Sequence, residues 1–272
     1  MQRAGARETM KSLRELQRNW EGFATTDPLW SICADPQKRD NKWNRDEFFA
    51  TGRKEIATVL EHLGSLGLRP GEGCPALDFG CGVGRLTRAM AACFSPCYGV
   101  DISPTMISLA REFNRDLPGC NFLLNEKDRL VGFANNYFGF IYTSIVLQHI
   151  GEPYNRGYLR ELIRLLRPGG ALVFQIPDRL RATASARLRT ALALRSRLLR
   201  LLHPGKNYVM EMHCISESSV CDLVQKEGAR VVDVRLTNST DPAFSGDLRY
   251  LEQEPQWGYV SKQYCVTKPA PS

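Results

Sequence analysis

Apolar positions along this chain fall into two spacings. Ile56, Val59, Leu60 and Leu63 recur at helical intervals, and Gly64 or Gly67 closes that run. Ala76-Leu77-Asp78-Phe79 is a short apolar run of strand type with an acid near its end. Leu86, Ala89, Met90, Cys93 and Phe94 then return to the helical interval and predict a buried helix face. A second strand covers Cys97 to Val100. Ser103 and Pro104 follow as N-cap and first residue of a helix whose inner stripe is Met106, Leu109, Ala110 and Phe113. Phe122-Leu123-Leu124 is a third strand, and a fourth begins at Phe140-Ile141-Tyr142. Leu159, Leu162, Ile163 and Leu166 make another helix face, stopped by Arg167-Pro168-Gly169-Gly170. Ala171 to Ile176 is a fifth strand. Val220, Leu223 and Val224 mark a helix closing at Gly228, Val231 to Val234 a sixth strand, and Tyr259 to Val266 a seventh.

Repeated strand–helix–strand units with apolar strands predict an α/β fold, a mostly parallel seven-stranded sheet with helices on both faces. The chain divides into an N-terminal helical cap (1–55), a ligand-binding core (56–177), a basic helical insertion (178–206) and a completion of the sheet (207–267). The cap holds Trp20, Trp30 and Trp43, three of the four tryptophans, so it is expected to cover a pocket. No internal repeat interrupts this plan.

Charge changes the picture in one place. The chain of 272 residues carries +7, but Arg179 to Lys206 alone contributes seven arginines, one lysine and no acid. The remainder therefore sums to −1, which argues against a general nucleic-acid-binding surface. Within the basic run, Leu188, Leu192, Leu198, Leu199 and Leu202 oppose Arg189, Arg197 and Arg200. A solvated helix packed on the domain is expected there, against a lid for an anionic acceptor or a peripheral contact with an acidic membrane. No stretch has the length of a transmembrane helix and the N-terminus lacks a signal-type apolar core, so a cytoplasmic protein is expected. Nine cysteines without a C-x-x-C pair are expected to be reduced, buried, small hydrophobes.

The chemistry concentrates in Asp78-Phe79-Gly80-Cys81-Gly82-Val83-Gly84, between a strand and a helix. Glycines there let the chain turn sharply and let a ligand lie against bare backbone. Asp101 stands at the end of the next strand, 17 residues after Gly84, where a carboxylate can accept from both hydroxyls of a ribose. A dinucleotide fingerprint would need glycine at position 85, which is Arg85, and this weakens a nicotinamide dehydrogenase reading.

The loop resembles the acid-x-G-x-G-x-G loop of class I, Rossmann-like, S-adenosylmethionine-dependent methyltransferases. Gly99-Val100-Asp101-Ile102-Ser103, the stretch Tyr142 to Ile150 and the Arg167-Pro168-Gly169-Gly170 turn extend that resemblance over about residues 50–177. It implies S-adenosylmethionine as cofactor. Asp78, Gly80 and Gly82, with Gly84, would surround its methionine and ribose, Asp101 would hold the ribose hydroxyls, and Ile102 would pack on adenine. Asn125 or Glu126 would meet the adenine amine, and Ser144 would lie near the sulfonium.

Transfer to a hydroxyl needs a base, and the family pattern places His149 at the mouth of the site. His203 and His213 are weaker candidates. Arg53 is a further candidate for the cofactor carboxylate. The stretch Thr143 to Val146 lacks the Asn/Asp-Pro-Pro-Tyr/Phe motif of enzymes acting on nucleic-acid bases, and it lacks the carboxylates of metal-dependent catechol-type enzymes. The expected function is metal-independent methyl transfer, most simply to a hydroxyl of a small-molecule or sugar-like acceptor. The alternatives are a non-catalytic cofactor-binding regulatory partner and an RNA-directed enzyme using the basic run.

Overall fold

The computed structural model describes residues 12–71, 73–181, 208–242 and 244–269. Two short helices, α1 (Leu13–Thr26) and α2 (Pro28–Ile32), precede the long α3 (Arg45–Ser65). A Ser12–Glu15 capping box starts α1, and Asp27 caps α2 by accepting from the Trp30 N–H. Helix α3 runs unbroken through residue 55, so cap and core share one helix.

The alternating core follows as β1 (Ala76–Phe79), α4 (Arg85–Met90), β2 (Cys97–Asp101), α5 (Pro104–Phe113), β3 (Cys120–Leu124), β4 (Phe138–Thr143), α6 (Tyr154–Leu165) and β5 (Leu166–Arg181). Helix α7 (Glu217–Lys226) then leads to β6 (Arg230–Thr237), β7 (Tyr250–Leu251) and β8 (Gly258–Thr267). The sheet order is β3-β2-β1-β4-β5-β8-β6-β7. The first five are parallel neighbours, while β8, β6 and β7 join antiparallel. The sheet therefore has eight strands rather than the expected seven. The addition is the two-residue β7, which pairs with β6 alone and is too short to leave a periodic trace.

Strand period explains why both faces are covered. Leu77, Phe79, Ile141, Leu172 and Phe174 point to one side, where α6 and α7 supply Leu159, Leu162, Ile163, Val220 and Val224. Their neighbours Ala76, Phe140, Tyr142, Ala171 and Val173 point to the other, against Ile56, Val59 and Leu63 of α3 and Leu86 and Met90 of α4. Every residue of β1 and β4 is buried, as a central parallel strand requires.

Two elements differ in length from their sequence patterns. Helix α4 stops at Met90; Phe94 completes its apolar face from beyond the helix, while Cys93 sits on the turn between and faces outward. Strand β5 continues to Arg181, because β8 pairs with it as far as Arg181 and Gly258. The first residues of the expected basic helical insertion, 178–181, are thus strand. Its remainder, including Arg189, Arg197, Arg200 and His203, lies outside the described residues. All nine cysteines are free; five are buried, whereas Cys93 is exposed against expectation because it sits on that turn. No described helix is long and apolar enough to cross a membrane.

Candidate active site

The carboxyl ends of β1, β2 and β4 open into a cavity of about 940 Å³, its mouth included. That is a size suited to a small ligand or cofactor, and open α/β sheets place ligands at this edge.

The floor is the β1–α4 loop. Gly80, Gly82 and Gly84 all have positive φ, at 76°, 52° and 84°. A Cβ on Gly80 would stand 2.3 Å from Val146 Cγ2, and one on Gly82 would stand 2.4 Å from Ile32 Cδ1. Gly80 N–H and Cys81 N–H donate to the Val100 carbonyl at 2.7 and 3.0 Å, which ties the loop to the end of β2.

Asp101 completes the floor. Its Oδ2 accepts from Gly82 N–H and its Oδ1 from Ser103 N–H, both at 2.9 Å. Each oxygen keeps a further lone pair for a ligand hydroxyl. Burial raises this carboxyl above its ordinary range, and the backbone N–H groups work against that rise.

The roof comes from the N-terminus. Leu16 and Trp20 of α1, with Ser31 and Ile32 of α2, line the cavity. Glu21 fastens α1 to the start of α5: it accepts from Ser103 Oγ at 2.5 Å, from Thr105 N–H at 3.2 Å and from Thr105 Oγ1. Burial pushes the Glu21 carboxyl up, but these donors hold it below its ordinary value. Gln17 donates to the Ile102 carbonyl and to Glu126, and Asn19 exchanges two hydrogen bonds with the backbone of Val209.

Of the residues singled out in the sequence, Gly80, Gly82, Asp101, Ile102, Asn125 and Ser144 line this one cavity. Asp78, Gly84, Glu126 and His149 stand behind or beside its wall. Asp78 is buried, accepts from Thr87 Oγ1 at 2.7 Å, and burial raises its pKa to about 7. Gly84 begins α4, where a Cβ would strike Phe122 at 2.7 Å. Glu126 receives Gln17 Nε2 at 2.6 Å. Arg53 lies on another surface, beside Arg45, Arg88 and Asp116. Trp30 and Trp43 donate to the backbone carbonyls of Asp35 and Cys33, and Phe48 and Phe49 fill a local core. Trp20 alone of the cap tryptophans reaches the cavity.

His149 sits beneath Trp20, with ring centroids 5.2 Å apart. Its Nδ1 is 2.6 Å from the Glu211 carbonyl oxygen, so that nitrogen carries the proton. Nε2 then accepts from Gln148 Nε2 at 3.1 Å. Gln175 Nε2 in turn donates to Gln148 Oε1 and Ser261 Oγ, while its Oε1 accepts from the Ile145 N–H. Burial lowers the His149 pKa to about 4, and the imidazole is neutral at physiological pH. His213 is half-buried, 3.6 Å from the Glu211 carboxylate.

Several site residues left no clear mark in the sequence. Ile145 lines the cavity at a φ of 61°, a costly conformation for a β-branched residue, and Gln175 pins its N–H there. Arg85, read first only as the break in a dinucleotide pattern, is 2% exposed and part of the cavity wall. Among the described residues, no group of three or more His, Cys, Asp or Glu is placed to hold a metal ion.

A glycine-lined strand–helix turn facing a strand-end aspartate is the arrangement with which Rossmann-like folds receive adenosine-bearing ligands. Residues 77–174 match a family described as a methyltransferase domain. The matched segment resembles the class I S-adenosylmethionine-dependent methyltransferases, and this likeness supports S-adenosylmethionine as the cofactor. A trans-aconitate 2-methyltransferase of Methylobacterium radiotolerans is 34% identical over 49% of this chain and 54% of its own length. A ubiquinone biosynthesis O-methyltransferase of Maricaulis maris is 29% identical over 43% of this chain and 45% of its own. The chain thus spans about half the length of these curated relatives. Magnesium protoporphyrin IX methyltransferase from Synechocystis, solved with bound S-adenosylhomocysteine, shares the fold at a TM-score of 0.60, 15% identity, and coverage of 94% of this chain and 100% of that one.

Proposed function

We propose that this chain transfers the methyl group of S-adenosylmethionine to a hydroxyl of a small-molecule or sugar-like acceptor, without a metal. The observation that carries the donor half is Asp101. Its carboxylate faces the cavity beside the bare backbone of Gly80 to Gly82, with two lone pairs left for a ribose diol. Ile102 and Val146 give that end of the cavity apolar walls suited to adenine, and Asn125 stands beside them. Bound there, the donor supplies a methyl group on a sulfonium, which departs as a neutral thioether.

The sulfonium is a good leaving group, so the protein's task is alignment and exclusion of water. Leu16 and Trp20 shut the cavity from above, while Gly80 and Ile145 shape it from below. One relative is named for O-methyl transfer, which supports oxygen as the acceptor atom.

His149 was the expected base. Its engaged nitrogens, its low pKa and the Trp20 ring over it favour a supporting role, in which it holds Trp20 in the roof. His149→Gln is then expected to leave the pH dependence of kcat/KM unchanged. Loss of the acidic limb in that variant would restore His149 as the base.

The experiment for the function itself is incubation of the purified chain with S-adenosylmethionine and a mixed panel of hydroxylated, carboxylated and RNA acceptors, with mass detection of products. The expected result is acceptor-dependent S-adenosylhomocysteine and an acceptor gaining one methyl group on oxygen. Donor binding without turnover on any acceptor would favour the regulatory-partner reading, and turnover on RNA alone would favour the RNA-directed one.

A further inference from the structure

Gln175 stands outside the cavity but holds part of its wall. Thr143 and Phe174 are the last paired residues of β4 and β5, so Gln175 lies one step beyond, where the chain leaves β4 as Ser144, Ile145 and Val146. Those three residues line the cavity. Ile145 turns the chain at a φ of 61°, and the next side chain, Val146, lies against Gly80. Nothing local favours that turn, because a β-branched residue is poorly suited to the left-handed region.

Gln175 is wholly buried, and its amide has one orientation open to it. Nε2 donates to Gln148 Oε1 at 3.0 Å and to Ser261 Oγ at 2.7 Å. Beyond Gln148 the donors continue in one direction, from Gln148 Nε2 to His149 Nε2 and from His149 Nδ1 to the Glu211 carbonyl. That carbonyl can only accept, so it sets the direction of the whole arm. The other arm agrees: Thr237 Oγ1 donates to Ser239 Oγ and therefore accepts from Ser261. A flipped amide would set the Gln175 oxygen against Gln148 Oε1. The oxygen faces the other way instead, where it accepts from the Ile145 N–H at 3.1 Å. A fully paired buried network rigidifies what it touches, and here it touches the cavity wall.

We propose that Gln175 is a positioning residue for methyl transfer: it holds the Ser144–Val146 turn in the shape that receives the donor, and it ties that turn through Gln148 and His149 to Trp20 in the roof. This rests on the S-adenosylmethionine reading. Gln175 acts through Ile145 and does not itself line the cavity.

The test exploits glycine, which adopts a positive φ without steric cost. Titration calorimetry with S-adenosylhomocysteine measures the loss caused by Gln175→Met in two backgrounds, the wild type and Ile145→Gly. In the wild type the change should weaken binding about 10-fold, the scale of one strained residue. In the Ile145→Gly background the turn no longer needs holding, and the same change should weaken binding less than about 3-fold. A Gln175 that served the fold alone would give equal losses in both backgrounds. That result, or no loss in either, would overturn the proposal. If Gln175→Met does not fold, Ser261→Ala carries the same cycle: it frees the amide on one side, and its loss of about 3-fold should vanish in the Ile145→Gly background. An equal loss in both, or none, overturns the proposal there too. Failure of the wild type to bind S-adenosylhomocysteine would refute the donor reading and the proposal with it, whereas equal losses refute the proposal alone.

Discussion

The floor and the roof of the cavity are built by different means. Backbone holds the floor: Gly80, Cys81 and Gly82 donate their N–H groups to Val100 and Asp101 at the end of the neighbouring strand. Side chains reaching across the sequence hold the roof, with Glu21 bound to Ser103 and Thr105, Gln17 to Ile102 and Glu126, and Asn19 to Val209. Such construction predicts that the floor unfolds only with the sheet, whereas the roof opens ahead of it. A site that must admit and then enclose a ligand gains from that division.

The largest effect should come from beneath the floor. Glu55→Ala leaves the Arg85 charge buried without its partner, and such losses cost about 3–5 kcal/mol. Chemical denaturation should show that fall. A loss under 1 kcal/mol would mean that water reaches Arg85 and that this end of the cavity is open.

Each region also carries a buried titratable group with a strongly displaced pKa, and these two act in opposite directions. Asp78, below the floor, has its pKa raised to about 7, so the stability it contributes is complete below about pH 4 and is lost as pH rises towards 7. His149, below the roof, has its pKa lowered to about 4, so its contribution is complete above pH 6.5 and is lost as pH falls through 4. Between pH 4 and 6.5 these slopes cancel in the wild type. Asp78→Asn should uncover a rise of about 3 kcal/mol with pH across that window, and His149→Gln a fall of similar size. Denaturation series at pH 4.5, 5.5 and 6.5 check this, and parallel profiles for all three proteins would contradict it.

The roof should respond more mildly. Glu21→Ala removes the acceptor of three donors at the start of α5 and should cost about 1–3 kcal/mol. Hydrogen exchange in that variant should speed up across α1 and leave β1 and β4 as protected as before. Equal acceleration in the sheet would show that floor and roof form a single cooperative unit.

The same division explains what the sequence disclosed. The floor is contiguous: glycine spacing, strand and terminal acid stand within residues 76–103, so the glycine loop and Asp101 could be placed by pattern, and Ile102 by the resemblance that pattern carries. Period-2 and helical spacings located seven of the eight strands for the same reason. The roof depends on α1 meeting α5 more than 80 residues later, and no local pattern encodes that pairing. Trp20, Trp30 and Trp43 look alike in sequence, yet only Trp20 reaches the cavity, because the other two find backbone carbonyls within their own segment. His149 was placed by resemblance at the mouth of the site, but its surroundings come from Glu211, Gln175 and Trp20, all distant in the chain. Arg85 was hidden for another reason: its meaning depends on Glu55, which lies on α3, on the far side of the glycine loop in sequence.

The central claim is that the floor grips an adenosine sugar through one aspartate. Titration of S-adenosylhomocysteine into the wild type and into Asp101→Ala, with circular dichroism confirming that both are folded, tests it most directly. One molecule should bind per wild-type chain, with affinity reduced at least about 100-fold in the variant, as expected when two charge-assisted hydrogen bonds are lost. Equal binding by the two proteins would contradict the account.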